Sequence, residues 1–310
     1  MSNDRFSESA QANQALQRLL RGRDKLLESI PSIPAILQSL LRELEQPSED
    51  IDVQRVADLI SRDESLTAQC LRVANSPLFS RGQLTNSVHS AISAIGIARI
   101  RVIALTCTLM QIGKSAISLD PAVFWQHSLG TAILSRRLAR STGFGNPEQA
   151  YLAGLLHDIG YLVNFVLAPQ QMRSILDQGS RERVFAGAIE HAALGFTHCQ
   201  TGELLARKWH FSAEIIEVIR CHHNPAGATM NPALVAIVGL TDRLCRSSEL
   251  GLGYAETPDP VLEWEADWQI LSRFCPLANQ MTWADFVQDS DIYFEEIRDL
   301  VKTMFSVAPA

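Results

Sequence analysis

From Ile33 onward, nearly every segment of this 310-residue chain places apolar side chains three and four positions apart, and strict alternation over five or more residues is hard to find. That periodicity predicts an essentially all-helical protein. Three pairs mark helix starts: Asp120-Pro121, Asn146-Pro147 and Asn231-Pro232. Each sets a capping side chain before a proline, whose missing N–H is harmless at the first helical position. Thr197 and Gln200 in THCQ have the spacing of a capping box, which makes His198 a first-turn residue. No internal repeat of fixed period is evident.

The same pattern organises the chain. Residues 1–27 are expected to form a polar, flexible start and a short amphipathic helix, the latter within LQRLLRGRDKLLESI. An N-terminal helical subdomain is expected over 28–118 and a second helical subdomain over 119–250, divided near GKSAISLDP (113–121), a small and polar interval. GLGYAETPDP (251–260) should be a loop, and Trp264, Trp268 and Trp283 beyond it suggest helices packing back onto the rest. In the N-terminal part Asn75, Ser76 and Gly96 read as turn and packing residues, the functional alternative being a partner-docking groove.

Composition narrows the classes. With 46% hydrophobic and 20% charged residues the chain is neither disordered nor fibrous, and a net charge of −7 argues against a broad nucleic-acid footprint or an anionic membrane surface. Cys70, Cys107, Cys199, Cys221, Cys245 and Cys275 are scattered and contain no C-x-x-C pair, which reads as buried, reduced thiols in a cytoplasmic setting. The start MSNDRFSESAQANQ carries no signal pattern, and no apolar run is expected to reach the length of a membrane span.

Seven of the eight histidines lie between 127 and 223, and several fall on predicted apolar faces. His127 shares a face with Thr131, Leu134 and Leu138; His222 continues Ile215 and Ile219, with His223 one position round; Asp242 lies in a row with Val235, Val238 and Cys245. His157 and Asp158 sit together inside AYLAGLLHDIGYLVNF (150–165), where a carboxylate must be paired, hydrogen-bonded or metal-bound. Singly, each has a simple explanation, such as a hydrogen-bonded core histidine or an Asp242–Arg246 ion pair. Together, His127, His157, Asp158, His198, His222, His223 and Asp242 would leave several buried polar groups to satisfy, at about 1–3 kcal/mol for each failure. A metal satisfies them collectively.

Nitrogen and carboxylate donors without a thiolate cluster suit iron, manganese, zinc, nickel or cobalt better than a cysteine-zinc knot, with iron or manganese favoured. Seven candidate ligands suit one or two ions, and Asp158 is the natural bridge between two. A first-turn position also disfavours protonation of His198, favouring the neutral form a metal needs. His89, His191 and His210 read as structural or exposed, His191 being the rival of His198.

The order His127, His157-Asp158, Asp242 resembles the HD superfamily of metal-dependent phosphohydrolases. Adding His198 and His222-His223 resembles its two-metal branch, which includes the HD-GYP cyclic-di-GMP phosphodiesterases. More closely, residues 28–250 resemble the HDOD domain of bacterial signalling proteins, through IPSIPAILQSLL, LISRDESLTAQCLRVANSPLF, SVHSAISAIGIARIRVIAL, AGLLHDIG, EHAALGFTHCQTGELLARKW and VIRCHHNP.

The resemblance implies a regulatory module acting through signalling partners, or through a nucleotide or cyclic dinucleotide ligand, and bearing a metal site. Its alternative is a phosphohydrolase in which Asp158 bridges two ions that activate a hydroxide. Tyr161 stands where active relatives often carry lysine, HHNPAGATMNP lacks the Gly-Tyr-Pro segment, and Lys208 is the one lysine in 150–250. A phosphate clamp would therefore fall to Arg173, Arg181, Arg183, Arg207 or Arg220. A third reading is a helical scaffold with a merely hydrogen-bonded histidine cluster.

Overall fold

The computed structural model describes residues 38–39, 52–80, 82, 84–116, 121–248, 250–252 and 261–305. The expected start and helix over 1–27, residue Asp120, and 253–260 of the expected loop lie outside them. Among the described residues the architecture is all helical, without strands.

Four helices lead: α1 (Val53–Ser61), α2 (Glu64–Ala74), α3 (Val88–Ile95) and α4 (Ile97–Ala116). Asp52 and Asp63 cap the first two by accepting backbone N–H groups three residues on, and Ser87 with Ser90 caps the third. Gly96, at φ +91°, makes the sharp turn into α4. Asn75 clips the chain return by accepting the Thr85 N–H at 2.8 Å and donating to its carbonyl at 2.9 Å, a turn role. Helix α4 runs through Gly113 to Ala116, so the first part of GKSAISLDP is helical. One interior glycine costs about 1 kcal/mol, which a 20-residue helix absorbs.

The helices that carry the histidines follow. They are α5 (Pro121–Thr142), α6 (Pro147–Leu156), α7 (Gly160–Leu167), α8 (Pro169–Glu182), α9 (Ala186–Leu194), α10 (His198–Lys208), α11 (Ala213–Cys221) and α12 (Pro232–Ser247). Asn146 and Asn231 cap α6 and α12 ahead of their prolines, and Pro121 opens α5. The Gln200 side chain accepts the Thr197 N–H at 3.0 Å, leaving His198 first in α10. Where one buried stripe was expected on α12, every residue from Ala233 to Arg246 is buried, because this helix is central. Buried Arg136 joins the two groups of helices, its guanidinium 4.9 Å from the Phe79 ring and 5.2 Å from Tyr151.

Helices α13 (Val261–Phe274), α14 (Trp283–Gln288) and α15 (Asp291–Phe305) complete the described chain. Trp264 and Trp268 gather on Trp283, with ring centroids 4.9 and 5.9 Å away, and Arg243 pairs with Asp267 to tie α12 to α13.

Contrary to the sequence expectation, Pro147–Leu167 is long and apolar enough by composition to cross a membrane, but 83% of its most apolar window is buried inside the protein. It also turns at 157–159, between α6 and α7. Its hydrophobicity serves the core.

Two glycines bracket that turn. A Cβ at Gly154 would lie 2.9 Å from the Ala132 Cα and the Thr131 carbonyl of α5, and one at Gly160 would lie 2.7 Å from the Gly202 nitrogen and closer still to the His198 carbonyl. Only glycine lets this turn fit between α5 and α10. Gly160→Ala is expected to lower the unfolding free energy by about 3 kcal/mol or more, because the clash is with backbone that has no rotamer to change; urea unfolding followed by helical circular dichroism measures it.

Glu217, buried on α11, accepts the backbone N–H groups of Thr229 (2.7 Å), Met230 (3.0 Å) and Asn231 (2.8 Å), pinning the entry to α12. Burial works to raise its pKa, but these bonds outweigh it and hold the carboxyl below the ordinary glutamate value. A depressed folded-state pKa stabilises above the unfolded value of about 4.3 and loses that contribution as pH falls through the folded value. Glu217→Gln should therefore destabilise by about 1.5–3 kcal/mol at pH 7, and its difference from the parent should shrink below about pH 4 in parallel urea titrations.

Candidate metal centre

The seven expected side chains meet at one internal point. His127 comes from α5, His157 caps the C-terminus of α6, Asp158 sits in the following turn, and His198 opens α10. His222 and His223 end α11, and Asp242 projects from α12. All are buried except His223, whose side chain is 22% exposed and forms the one solvent-facing edge among the seven.

They form two groups that share Asp158. Its Oδ2 lies 3.3 Å from His127 Nε2 and 3.4 Å from His157 Nε2. Asp242 Oδ1 faces the same two nitrogens at 3.2 and 3.6 Å. The other oxygen of Asp158, Oδ1, faces His198 Nε2 at 3.2 Å and His222 Nε2 at 3.5 Å, and His198 Nε2 is 3.0 Å from His223 Nε2.

The far nitrogens of four rings are held. His127 Nδ1 lies 3.1 Å from the Leu250 carbonyl, His157 Nδ1 2.7 Å from that of Gly154, His222 Nδ1 3.1 Å from those of Val218 and Ile219, and His198 Nδ1 2.6 Å from Glu190 Oε2. Such contacts fix the tautomer that presents Nε2, as around many metal sites. Two buried atoms, Asp158 Oδ1 and His222 Nε2, face this space without a hydrogen bond. An orphaned acceptor pair beside two further imidazole nitrogens fits a cation, and the groups His127–His157–Asp158 and His157–His222–Asp242 each have ligand atoms close enough together to hold one.

The protonation pattern follows from the crowding. Burial opposes charge on His127, yet its hydrogen bonds to Asp158 and Asp242 push its pKa up to about 9. Asp158 and Asp242 are held well below the usual carboxylate range against the same burial, the first by His157 and His198, the second chiefly by Arg246. Arg246 Nε donates to both Asp242 oxygens at 3.1 Å, so the simple ion pair exists alongside the cluster. His198 corrects an expectation. Its helix-start position was expected to keep it neutral, but against burial the neighbouring Cys199, Glu190 and Asp158 raise its pKa well above the ordinary value. A buried carboxylate at contact outweighs the half-charge of a helix terminus. A divalent cation would take over the charge that these protons supply.

Glu190 is the functional residue the sequence reading passed over. Fully buried on α9, it accepts the His198 N–H at 2.9 Å as well as facing the ring, and receives the Asn164 amide at 2.9 Å; Thr201 in turn donates to Asn164 at 2.7 Å. Its neighbour His191 is exposed, as are His89 and His210, so none rivals the cluster. Tyr161, at the position expected for lysine, is buried and stacks on His198 at 4.4 Å. At the solvent edge Phe185 lies 4.3 Å from the His223 ring, and the Arg246 guanidinium lies 4.4 Å from Phe185. Beside the expected nitrogen and oxygen donors, Cys199 Sγ is 3.4 Å from His198 Nε2, and His198, Cys199, His222 and His223 form a third group of candidate ligand atoms within 4.8 Å of one another.

The HDOD domain pattern matches residues 30–225. The chain belongs to the HDOD family. An HDOD domain protein of unknown function from Geobacter sulfurreducens shares its fold at a TM-score of 0.80 and 28% identity, covering 93% of this chain and all of that one. A candidate phosphohydrolase from Shewanella amazonensis superposes at 0.70 with 21% identity, over 92% of this chain and 97% of that one. A candidate signal transduction protein from Marinobacter aquaeolei superposes at 0.74 with 22% identity, over 97% of this chain and 66% of that one. An uncharacterised Treponema pallidum protein is 22% identical over 244 residues, 77% of this chain; the chain spans about half the length of that curated relative. The HDOD match ends before α12, so Asp242 joins the centre through packing from outside the matched segment.

Glu190→Gln keeps the size of this HDOD side chain but removes its charge. It is expected to lower the unfolding free energy by about 1.5–3 kcal/mol and to weaken divalent-metal binding about 10- to 100-fold, because His198 loses the group that orients it. Urea unfolding and competition against a metal-chelating dye read the two effects.

Proposed function

We propose that this HDOD protein is a regulatory module of bacterial signal transduction, acting through partner or ligand binding, whose helical core is organised by a metal centre. His127, His157, Asp158 and Asp242 would hold one divalent ion and His198, His222 and His223 a second, with Asp158 facing both. Iron or manganese suits the first group, whose donors are imidazole and carboxylate. Bound ions would supply the positive charge that the buried carboxylates need and, in a hydrolase, Lewis acidity toward a phosphoester.

The observation that carries the regulatory reading is closure. Six of the seven side chains are buried, and Phe185 packs against the ring of the seventh, His223, with Arg246 behind Phe185. A phosphodiester has to reach the ions at an open position. Tyr161 packs on His198 where a lysine could have met a phosphate. Arg207 pairs with Glu203 and Arg220 lies near Glu217, so neither is aimed at the centre.

The second reading is a metal-dependent phosphohydrolase acting on a cyclic dinucleotide or nucleotide, with Asp158 as the essential carboxylate. It is favoured by the grouping of all seven candidate ligands. Names of structural relatives divide between signalling and phosphohydrolysis, so geometry has to choose.

Untagged protein analysed by plasma mass spectrometry is expected to carry about one to two transition-metal ions per chain, lost in Asp158→Ala. Neither protein should cleave bis(p-nitrophenyl) phosphate or a panel of cyclic dinucleotides after reconstitution with iron, manganese or zinc. Turnover that disappears in Asp158→Ala would establish the hydrolase instead. Failure of the parent to retain metal after reconstitution would leave the hydrogen-bonded scaffold.

A further inference from the structure

We propose that Cys199 is a metal ligand in this chain, completing with His198, His222 and His223 a three-nitrogen, one-sulfur set on the solvent side of the centre. The inference rests on the metal-centre reading above and adds a donor of different chemistry to it.

Geometry supports the set. Tetrahedral coordination with metal–nitrogen bonds of about 2.0–2.1 Å and a metal–sulfur bond of about 2.3 Å implies nitrogen–nitrogen edges of roughly 3.3 Å and nitrogen–sulfur edges of roughly 3.6 Å. His198 Nε2 is 3.0 Å from His223 Nε2 and 3.4 Å from Cys199 Sγ, and all four ligand atoms lie within 4.8 Å of one another. His198 Nε2 thus makes two edges of near-tetrahedral length, and the other four stay within 4.8 Å. An independent pointer is His222 Nε2, which is buried in this group without a hydrogen bond while its other nitrogen faces helix carbonyls.

Cys199 also differs from the remaining cysteines. Cys70, Cys107, Cys221, Cys245 and Cys275 are buried, whereas Cys199 is half-buried with its sulfur against His198. The rival explanation is a thiol hydrogen bond to that imidazole, which needs no metal.

The consequence is two half-sites of unequal softness. A thiolate with three imidazoles selects zinc or another borderline ion, while the carboxylate-rich group around His127, His157 and Asp242 suits iron or manganese. With three imidazoles and a thiolate, the sulfur takes the fourth position that water or substrate would otherwise occupy. The outer half-site is then a closed, structural one.

Cobalt(II) titrated into the chelator-stripped full chain tests this. The parent should develop visible ligand-field bands and a near-ultraviolet thiolate-to-cobalt band. Cys199→Ser should keep the first, lose the second and bind zinc about tenfold more weakly, while Cys221→Ser changes neither spectrum.

Ligand-field bands without the charge-transfer band in the parent, or a charge-transfer band that survives in Cys199→Ser, would overturn the sulfur ligand and leave the metal centre standing. No cobalt spectrum at all would overturn both. A readout free of any variant is iodoacetamide labelling of Cys199 followed by peptide mass spectrometry: zinc should slow it about tenfold or more, and unchanged labelling would again reject the ligand.

Discussion

A single buried carboxylate constrains the rest of this molecule. Asp158 is 3% exposed, and its two oxygens face different sets of imidazoles contributed by α5, α6, α10 and α11. A carboxylate in that position is tolerable only if positive charge surrounds it. Four helices must therefore converge, and the turn that carries Asp158 has to be thin enough to lie between two of them. Gly154 and Gly160 supply that thinness on either side of His157-Asp158, so the electrostatic demand of one side chain is met by backbone packing several residues away.

The helical framework was legible because it rests on local rules. Proline-cap pairs start α6 and α12, Gln200 caps α10, and the stripes through His127, His222 and Asp242 are buried as their spacing implies. His127, His222, Asp242 and the His157-Asp158 pair could be found because each was a polar residue in an apolar row. Helix α12 shows the limit of that method: it is buried on all sides, which no single stripe announces, because α5 and α13 cover it together.

What sequence could not show depends on tertiary neighbours. Glu190 lies beside the more conspicuous His191, and only the packing of α9 against Asn164 and the start of α10 decides which of the two points inward. The Leu250 carbonyl that holds His127 is 123 residues distant and carries no side-chain signature. Adjacent residues on a helix usually diverge, so the approach of the Cys199 sulfur to 3.4 Å from His198 Nε2 had no signature in the sequence. The protonation of His198 failed for a related reason: the terminus of α10 was visible in the sequence, but the carboxylate 2.6 Å from its ring was not.

Ligand geometry and substrate access are separate properties here. Histidines anchored to carbonyls of their own helices stay in place whenever the helices pack, so the grouping of the candidate ligands follows from a well-formed core. Access depends instead on the rim, where Phe185 bridges the His223 ring and the Arg246 guanidinium, and Arg246 in turn grips Asp242. An incoming phosphoester would have to displace a side chain that is itself bonded to the Asp242 carboxylate. Possession of all seven candidate ligands is thus weak evidence for turnover, because an ion held in such a centre would stabilise the helical bundle whether or not anything reaches it.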